Sequence, residues 1–257
     1  MSSPVPPHEI PVVLTSSVVA HDTRVRLKDT DERIRLALES VAEWLKIEPR
    51  QPLILCDGSN FDFSDLVRQK FPDAQIECLP FENNQELVRQ HGRGYGEGEI
   101  VRHAINHSHF IASAACFAKC SSKLWVQNFP ACAGAWRGDL LLQGVFLDVF
   151  APFKRTTLSY IDTRFYITST HQYRQHFENA HQRIDKKKQY GLENTFLDVF
   201  LEAKLYNALT PVAPVICGVG GAIAKYYKNS PKRKLKETLR LLLVKRDPRF
   251  SNYFIQP

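Results

Sequence analysis

The stretch GRGYGEGEIVRHAINHSHFIASAACFAKCSSKLWVQN, residues 92–128, joins a loop, a helix and a strand signal in one unit. Glycines stand at 92, 94, 96 and 98, and then Ile100, Val101, Ala104 and Ile105 recur at helical spacing. The apolar segment Phe110 to Ala118, or part of it, reads as a strand reaching a polar turn at Lys119 to Ser122. Glycine lets a ligand approach the main chain closely, and a helix N-terminus offers free N–H groups and partial positive charge. The unit therefore has the make-up of a nucleotide-handling site. It is a weak dinucleotide fingerprint, because such a loop follows a strand directly, whereas here the polar, helical Gln85 to His91 precedes it. A sharp helix-to-helix turn is the structural alternative. Glu97 and Glu99 would repel a phosphate and suit sugar or ribose hydroxyls better.

Upstream, Ile10 to Val19 reads as a first strand ending in Thr15, Ser16 and Ser17. A helix follows, with its stripe at Ile34, Ala37, Leu38, Val41, Ala42 and Leu45. The apolar run Leu53 to Cys56 has the character of a strand buried on both faces, and it runs into Asp57, Gly58, Ser59 and Asn60. Gln75 to Leu79 forms a third strand. Downstream, Lys123 to Phe129, Gly144 to Phe150 and Tyr160 to Thr168 read as strands, Leu192 to Tyr206 as a helix, and Pro211 to Gly221 as a strand and glycine turn. The order β-α-β-α-β-α-α-β, with short connections, implies a mostly parallel α/β sheet. Ligands in such sheets bind outside the carboxyl ends of the strands, here Thr15 to Ser17, Asp57 to Asn60 and Lys119 to Ser122.

With 44% apolar and 24% charged residues in 257, the chain is composed as one soluble globular domain with an appendage. No apolar run approaches the length of a membrane span, and the N-terminus lacks a secretory pattern, so a cytoplasmic location is expected. The six cysteines show no paired metal spacing, and His103 and His107 lack the adjacent Glu of a zinc-helix motif, so no metal site is expected. Between Lys225 and Arg249 stand ten Lys or Arg against only Glu237 and Asp247, while the whole chain nets +7. The basicity is therefore a property of the tail, and the chain divides into residues 1–224 and a basic amphipathic tail at 225–257. Leu235, Leu239, Leu242 and Leu243 fall near one helical face with Lys232, Arg233, Lys234 and Lys236 around them. An anionic membrane surface is the expected partner. Nucleic acid is not, because aromatic residues do not interleave with the cations, and a helix packed on the domain is the plain alternative.

In order, CDGSN at 56–60, GRGYGEGEI at 92–100, FAKCSSKLWVQN at 117–128, DTRFY at 162–166 and LENTF at 192–196 resemble bacterial glycosyltransferase-like proteins of surface-polysaccharide gene clusters. The likeness runs over about residues 10 to 225. It implies a single GT-A-like, Rossmann-type α/β domain with a mostly parallel mixed sheet plus a basic C-terminal helix. The activity it implies is transfer of a sugar from a nucleotide-sugar to a lipid-linked oligosaccharide of lipopolysaccharide, O-antigen or capsule, on the inner face of the cytoplasmic membrane. The resemblance places Thr15, Ser16, Ser17 and Arg24 near base and ribose, Asp57, Ser59 and Asn60 beside them, and Gly94, Tyr95, Gly96 and Glu97 along the donor. Glu193 matches the position of a catalytic acid, with Asp162 second. The pattern's Asp-x-Asp metal pair is replaced by Lys119-Cys120-Ser121-Ser122-Lys123, so no cofactor beyond the nucleotide-sugar co-substrate is expected. Positive charge for the leaving diphosphate would come instead from Lys119, Lys123 or Arg164. A methyltransferase built on the glycine stretch, and a non-catalytic glycan-assembly or nucleic-acid-binding module, are the alternative readings.

Overall fold

The computed structural model describes residues 5–22, 25–220, 224–227 and 229–256. Its first half runs β1 (Val12–Ser16), α1 (Thr30–Ile47), β2 (Leu53–Asp57), α2 (Ser64–Lys70), β3 (Ile76–Pro80), α3 (Gln85–His91), α4 (Arg93–His107), α5 (His109–Ala114) and β4 (Cys116–Ser121). There follow β5 (Leu124–Val126), α6 (Phe129–Ala135), β6 (Leu140–Leu147), β7 (Thr157–Ser169), α7 (Thr170–His176) and α8 (Leu192–Glu202). The chain closes with β8 (Ile216–Gly220), β9 (Lys225–Tyr226) and α9 (Pro231–Arg246).

The main sheet has the order β3-β2-β1-β4-β7-β6. The first four strands are parallel, and β7 runs antiparallel to both β4 and β6. The expected fold class, a Rossmann-type α/β domain with a mostly parallel mixed sheet and a basic C-terminal helix, is the one found. A small antiparallel sheet, β5-β8-β9, stands beside it. Strand alternation splits the core into two layers. Val12, Leu14, Ala118 and Cys120 pack with Ala37, Val41 and Trp44 of α1 and Phe129 of α6. Val13, Ile54 and Phe117 face the other way, toward Ile100, Val101 and Ala104 of α4 and Phe196 of α8.

The glycine stretch differs from its sequence reading. Only Gly92 is a turn, with φ +93°, and Gly94, Gly96 and Gly98 lie inside α4. Packing explains them, since a Cβ on Gly98 would stand 2.3 Å from His181 Cγ, and one on Gly94 3.1 Å from Leu192 Cβ. The run lets neighbouring segments close on α4. Gly98→Ala should therefore destabilise the fold by about 1–3 kcal/mol through overpacking. A lower denaturation midpoint with unchanged m value is the expected readout.

The expected strand at Phe110 to Ala118 is half helix. Ser108 Oγ accepts from Ile111 N at 3.2 Å and donates to Glu77, which also accepts from His109 N at 3.0 Å. This cap holds α5 until Ala115, at φ 55°, ends it, and the strand starts only at Cys116. The expected strand at Lys123 to Phe129 likewise stops at Val126, because Pro130 in the first turn of α6 suits a helix start. Helix α9 touches the domain along one edge, through buried Val244 and partly buried Leu241 near Phe254 and Phe250. Its leucines 235, 239, 242 and 243 stay between 46% and 61% exposed.

Candidate functional site

The carboxyl ends of β1, β2 and β4 open into a cleft of about 340 Å³. Thr15, Ser16 and Ser17 line it from β1, and Gly96, Glu97 and Ile100 from α4. Ser121 and Lys123 enter from the β4–β5 turn, Thr163 and Arg164 from β7, and Glu193 from the first turn of α8. The sequence readings of Thr15, Ser16, Ser17, Gly96, Glu97, Arg164 and Glu193 thus converge on one place. Arg24 lies outside the described residues.

Asp57 does not offer its carboxylate to this cleft. It is fully buried, one oxygen accepting from Val18 N at 2.9 Å and the other from Ser59 N at 2.7 Å, Ser59 Oγ at 2.6 Å and Phe61 N at 3.2 Å. Ser59 Oγ in turn accepts from Val19 N at 3.0 Å, and Asn60, with φ 61°, donates its N–H to Phe81 O. Asp57 and Ser59 instead tie the loops after β1 and β2 together, Asn60 joins the β2 loop to the segment after β3, and Gly58 alone of that turn lines the cleft. Arg33 reinforces the tie: from α1 its Nε donates to Ser17 O at 2.7 Å and its Nη1 to Leu27 O at 2.8 Å. The sequence reading missed this residue, although an arginine four before Ala37 in an apolar stripe was a visible signal. Tyr95 also turns away, stacking on His91 at 5.3 Å and meeting His181 edge-on at 5.1 Å.

The cations sort by strand parity. Lys119 shares a face of β4 with Phe117, and so points under α4, where its Nζ pairs with Glu97 and donates to Thr163 O at 2.8 Å. At 1% exposure it is a buried strut and lines no part of the cleft, which corrects its reading as a diphosphate cation. Lys123, beyond the strand end, does line the cleft while being only 8% exposed. Among the described residues its Nζ has no hydrogen bond or ion pair. Burial lowers its amine to about 7; Arg33 adds to the shift, and Asp57 and Glu97 oppose it. Arg164 faces the cleft with its guanidinium held by Asp162, Nε donating to Oδ1 at 2.8 Å, and stacked 5.0 Å from the centre of the Tyr227 ring. Asp162 is 2% exposed and lines no part of the cleft, so it positions Arg164 and is displaced as a candidate base.

A second pocket, of about 310 Å³, adjoins the first and shares Asp22, Val25, Arg93, Glu97, Thr163 and Glu193 with it. Gly94 belongs to this second pocket. Asp22 closes its rim, accepting from Arg93 N at 3.1 Å and Lys186 Nζ at 3.3 Å. Glu193 thus stands where two chambers meet. Burial raises its carboxyl above the ordinary value; its own backbone N–H opposes the shift, Glu97 adds to it, Arg93 opposes it and Asp162 adds to it. A half-buried carboxylate at a junction of pockets, its pKa raised by burial, is placed to accept a proton from a bound hydroxyl.

At the end of β4, where the resemblance would put a metal pair, the side chains present are the hydroxyls of Ser121 and Ser122 and the Lys123 ammonium. Hard divalent cations take carboxylate and carbonyl oxygens, so this donor set does not fit one. Among the described residues no group of three His, Cys, Asp or Glu side chains assembles for a metal. His103 and His107 are stacked ring on ring at 4.0 Å, with Phe81 on the far side of His103 at 4.2 Å.

No family model matches the chain, and no curated protein matches it. Among solved structures, HddC from Yersinia pseudotuberculosis is similar with a TM-score of 0.40 and 15% identity, over 63% of this chain and 77% of that chain. A likeness so distant carries no functional argument, and the functional reading rests on the cleft.

Proposed function

We propose that this chain is a nucleotide-sugar-dependent glycosyltransferase that moves a sugar onto a lipid-linked glycan acceptor of a bacterial surface polysaccharide. The observation that carries the reading is Glu193, a carboxylate of raised pKa at the junction of two chambers. The larger cleft takes the donor. Hydroxyl and main-chain groups of Thr15 to Ser17 meet base and ribose there, at the strand ends where α/β sheets hold ligands. The smaller pocket takes the acceptor. Glu193 removes the proton from the acceptor hydroxyl as that oxygen attacks the anomeric carbon, and the sugar–phosphate bond breaks with its electron pair leaving on the nucleoside diphosphate. Arg164, held by Asp162 and Tyr227, faces the departing charge, and protein cations fill the role that a metal ion has elsewhere. Gly94, Gly96 and Gly98 lie in a helix, which favours the glycosyltransferase reading over a methyl-donor loop there. Incubation with UDP-, GDP- and CMP-sugars, followed for release of free nucleotide and for sugar incorporated into membrane lipid, tests the reading. A non-catalytic module would bind a nucleotide and release nothing.

Helix α9 supports a membrane-side acceptor. No helix among the described residues is long and apolar enough to cross a membrane. The exposed leucine face of α9 lies opposite its buried Val244, Phe150 lies beneath Lys236 and Arg240 at 5.7 Å each, and Phe153 is 98% exposed. Apolar side chains flanked by cations match an anionic bilayer at the inner face of the cytoplasmic membrane, with each cation contributing on the order of 1 kcal/mol. The triple substitution L235S/L239S/L243S should weaken sedimentation with phosphatidylglycerol vesicles by at least about tenfold, given roughly 1.5–3 kcal/mol per fully buried leucine. Equal binding by the variant, or salt-sensitive binding to oligonucleotides in place of vesicles, would count against this surface.

A further inference from the structure

We propose that Lys123 is the anion receptor of the cleft, its ammonium receiving the diphosphate of a nucleotide at the end of β4. The inference rests on the donor-cleft reading above and selects, among the three cations the resemblance offered for the diphosphate, the one that is left free to bind it. Three observations carry it. First, the backbone is fixed on both sides of the side chain: Ser122 N donates to Thr15 O at 2.9 Å, and Val219 N donates to Lys123 O at 3.0 Å. Gly218, at φ +98°, leaves no room for a Cβ, which would stand 2.2 Å from that carbonyl, so β8 presses directly on the residue. Second, the side chain is more than nine-tenths buried, faces the cleft, and has no hydrogen-bond or ion-pair partner among the described residues. Third, the neighbouring Lys119 is fully engaged by Glu97 and Thr163, so the two lysines of the β4 end divide into a strut and a free donor.

The side chain is held inside the protein while its amine opens only toward the cleft, so a ligand there can complete it. The ligand must be an anion that offers several oxygens in a narrow cleft. The charges that act on the amine are those of Arg33 on α1, Asp57 at the end of β2 and Glu97 on α4, while Arg164 and Glu193 line the cleft from β7 and α8. Arg33 repels the free ammonium and an arriving diphosphate attracts it. Binding therefore shifts Lys123 toward its charged form. In the free protein the amine is divided between its two forms near pH 7, so above that pH binding takes up a proton and affinity falls as pH rises. His21 also lines the cleft, which makes the lysine variant the necessary control.

The experiment titrates inorganic pyrophosphate, UDP, GDP and CDP, with the parent nucleosides as controls, into the full chain and into Lys123→Met and Lys123→Arg. Calorimetry at pH 8 in two buffers of different ionisation enthalpy reads the proton. Methionine fills the same space without a buried amine, so the variant should fold at least as firmly as the parent. The expected result is a loss of pyrophosphate and diphosphate affinity of about ten- to hundredfold in Lys123→Met, the worth of a charge-assisted bond. Nucleoside binding should be unchanged, and uptake of up to one proton should be present in the parent and absent in the variant. Less than a twofold change in pyrophosphate affinity, no pyrophosphate binding by the parent, or equal proton uptake by both proteins would overturn the proposal. The two readings fail separately. Lysine-dependent pyrophosphate binding without turnover of any sugar nucleotide keeps the receptor and removes the transferase, whereas sugar transfer undiminished in Lys123→Met does the reverse.

Discussion

Replacing Glu193 by Gln should lower kcat by roughly 10²–10⁴-fold, the range that a positioned general base contributes, while donor affinity changes little. The amide keeps size and hydrogen-bonding capacity and removes only the basic oxygen. The parent's rate should rise with pH through the raised pKa of Glu193, because the carboxylate is the active form and burial displaces its titration upward. That limb should vanish in the variant. Stability separates this role from the plain one of an acid at a helix start. A carboxyl whose folded pKa is raised contributes stability at low pH that is lost as pH rises through that value. At neutral pH the glutamine variant should therefore be as stable as the parent, or more so. An acid serving only the helix dipole would show the opposite pattern, a loss of about 0.3–1 kcal/mol with no change in rate.

Lys119→Met should cost about 3 kcal/mol of folding stability, the typical penalty for removing one partner of a buried ion pair. The lysine is 1% exposed and holds Glu97 of α4 and Thr163 O of β7. Without it, a carboxylate and a carbonyl beneath α4 lose their donor. Adding Glu97→Leu should recover much of the loss, because the second uncompensated group is then removed as well, and a double-mutant cycle in denaturant reads the coupling. A substrate-facing lysine would behave differently. Its methionine variant would keep or gain stability and lose ligand affinity, the behaviour expected of Lys123.

These two lysines also mark how far the sequence could be read. The parallel sheet was legible because β1 and β2 open as apolar runs, and their polar ends pointed to the cleft. The hydroxyls of Thr15 to Ser17 were read from a strand end, Arg164 from its charge and Glu193 from the family resemblance, and all of them line that cleft. Asp57 was legible as important and misread in purpose, since its four hydrogen bonds come from the backbone of Val18, Ser59 and Phe61 and from Ser59 Oγ, and no spacing rule shows them. The glycines of α4 were read as a loop because glycine ordinarily disfavours helix, and His181, which requires Gly98 to lack a side chain, lies 83 positions further along the chain. The second pocket depends on Asp22, Lys186 and Arg93 meeting across the fold, which is tertiary information alone.

The central claim is that the cleft over β1, β2 and β4 holds a nucleotide-sugar. Thermal unfolding in the presence of UDP, GDP, CMP and their sugars tests it most directly. One nucleotide series should raise Tm by about 5–10 °C at a hundred times its Kd, where binding adds about 2.7 kcal/mol, and amides near Ser17, Gly96 and Lys123 should gain hydrogen-exchange protection. An unchanged Tm and unchanged exchange across the whole panel would contradict the account.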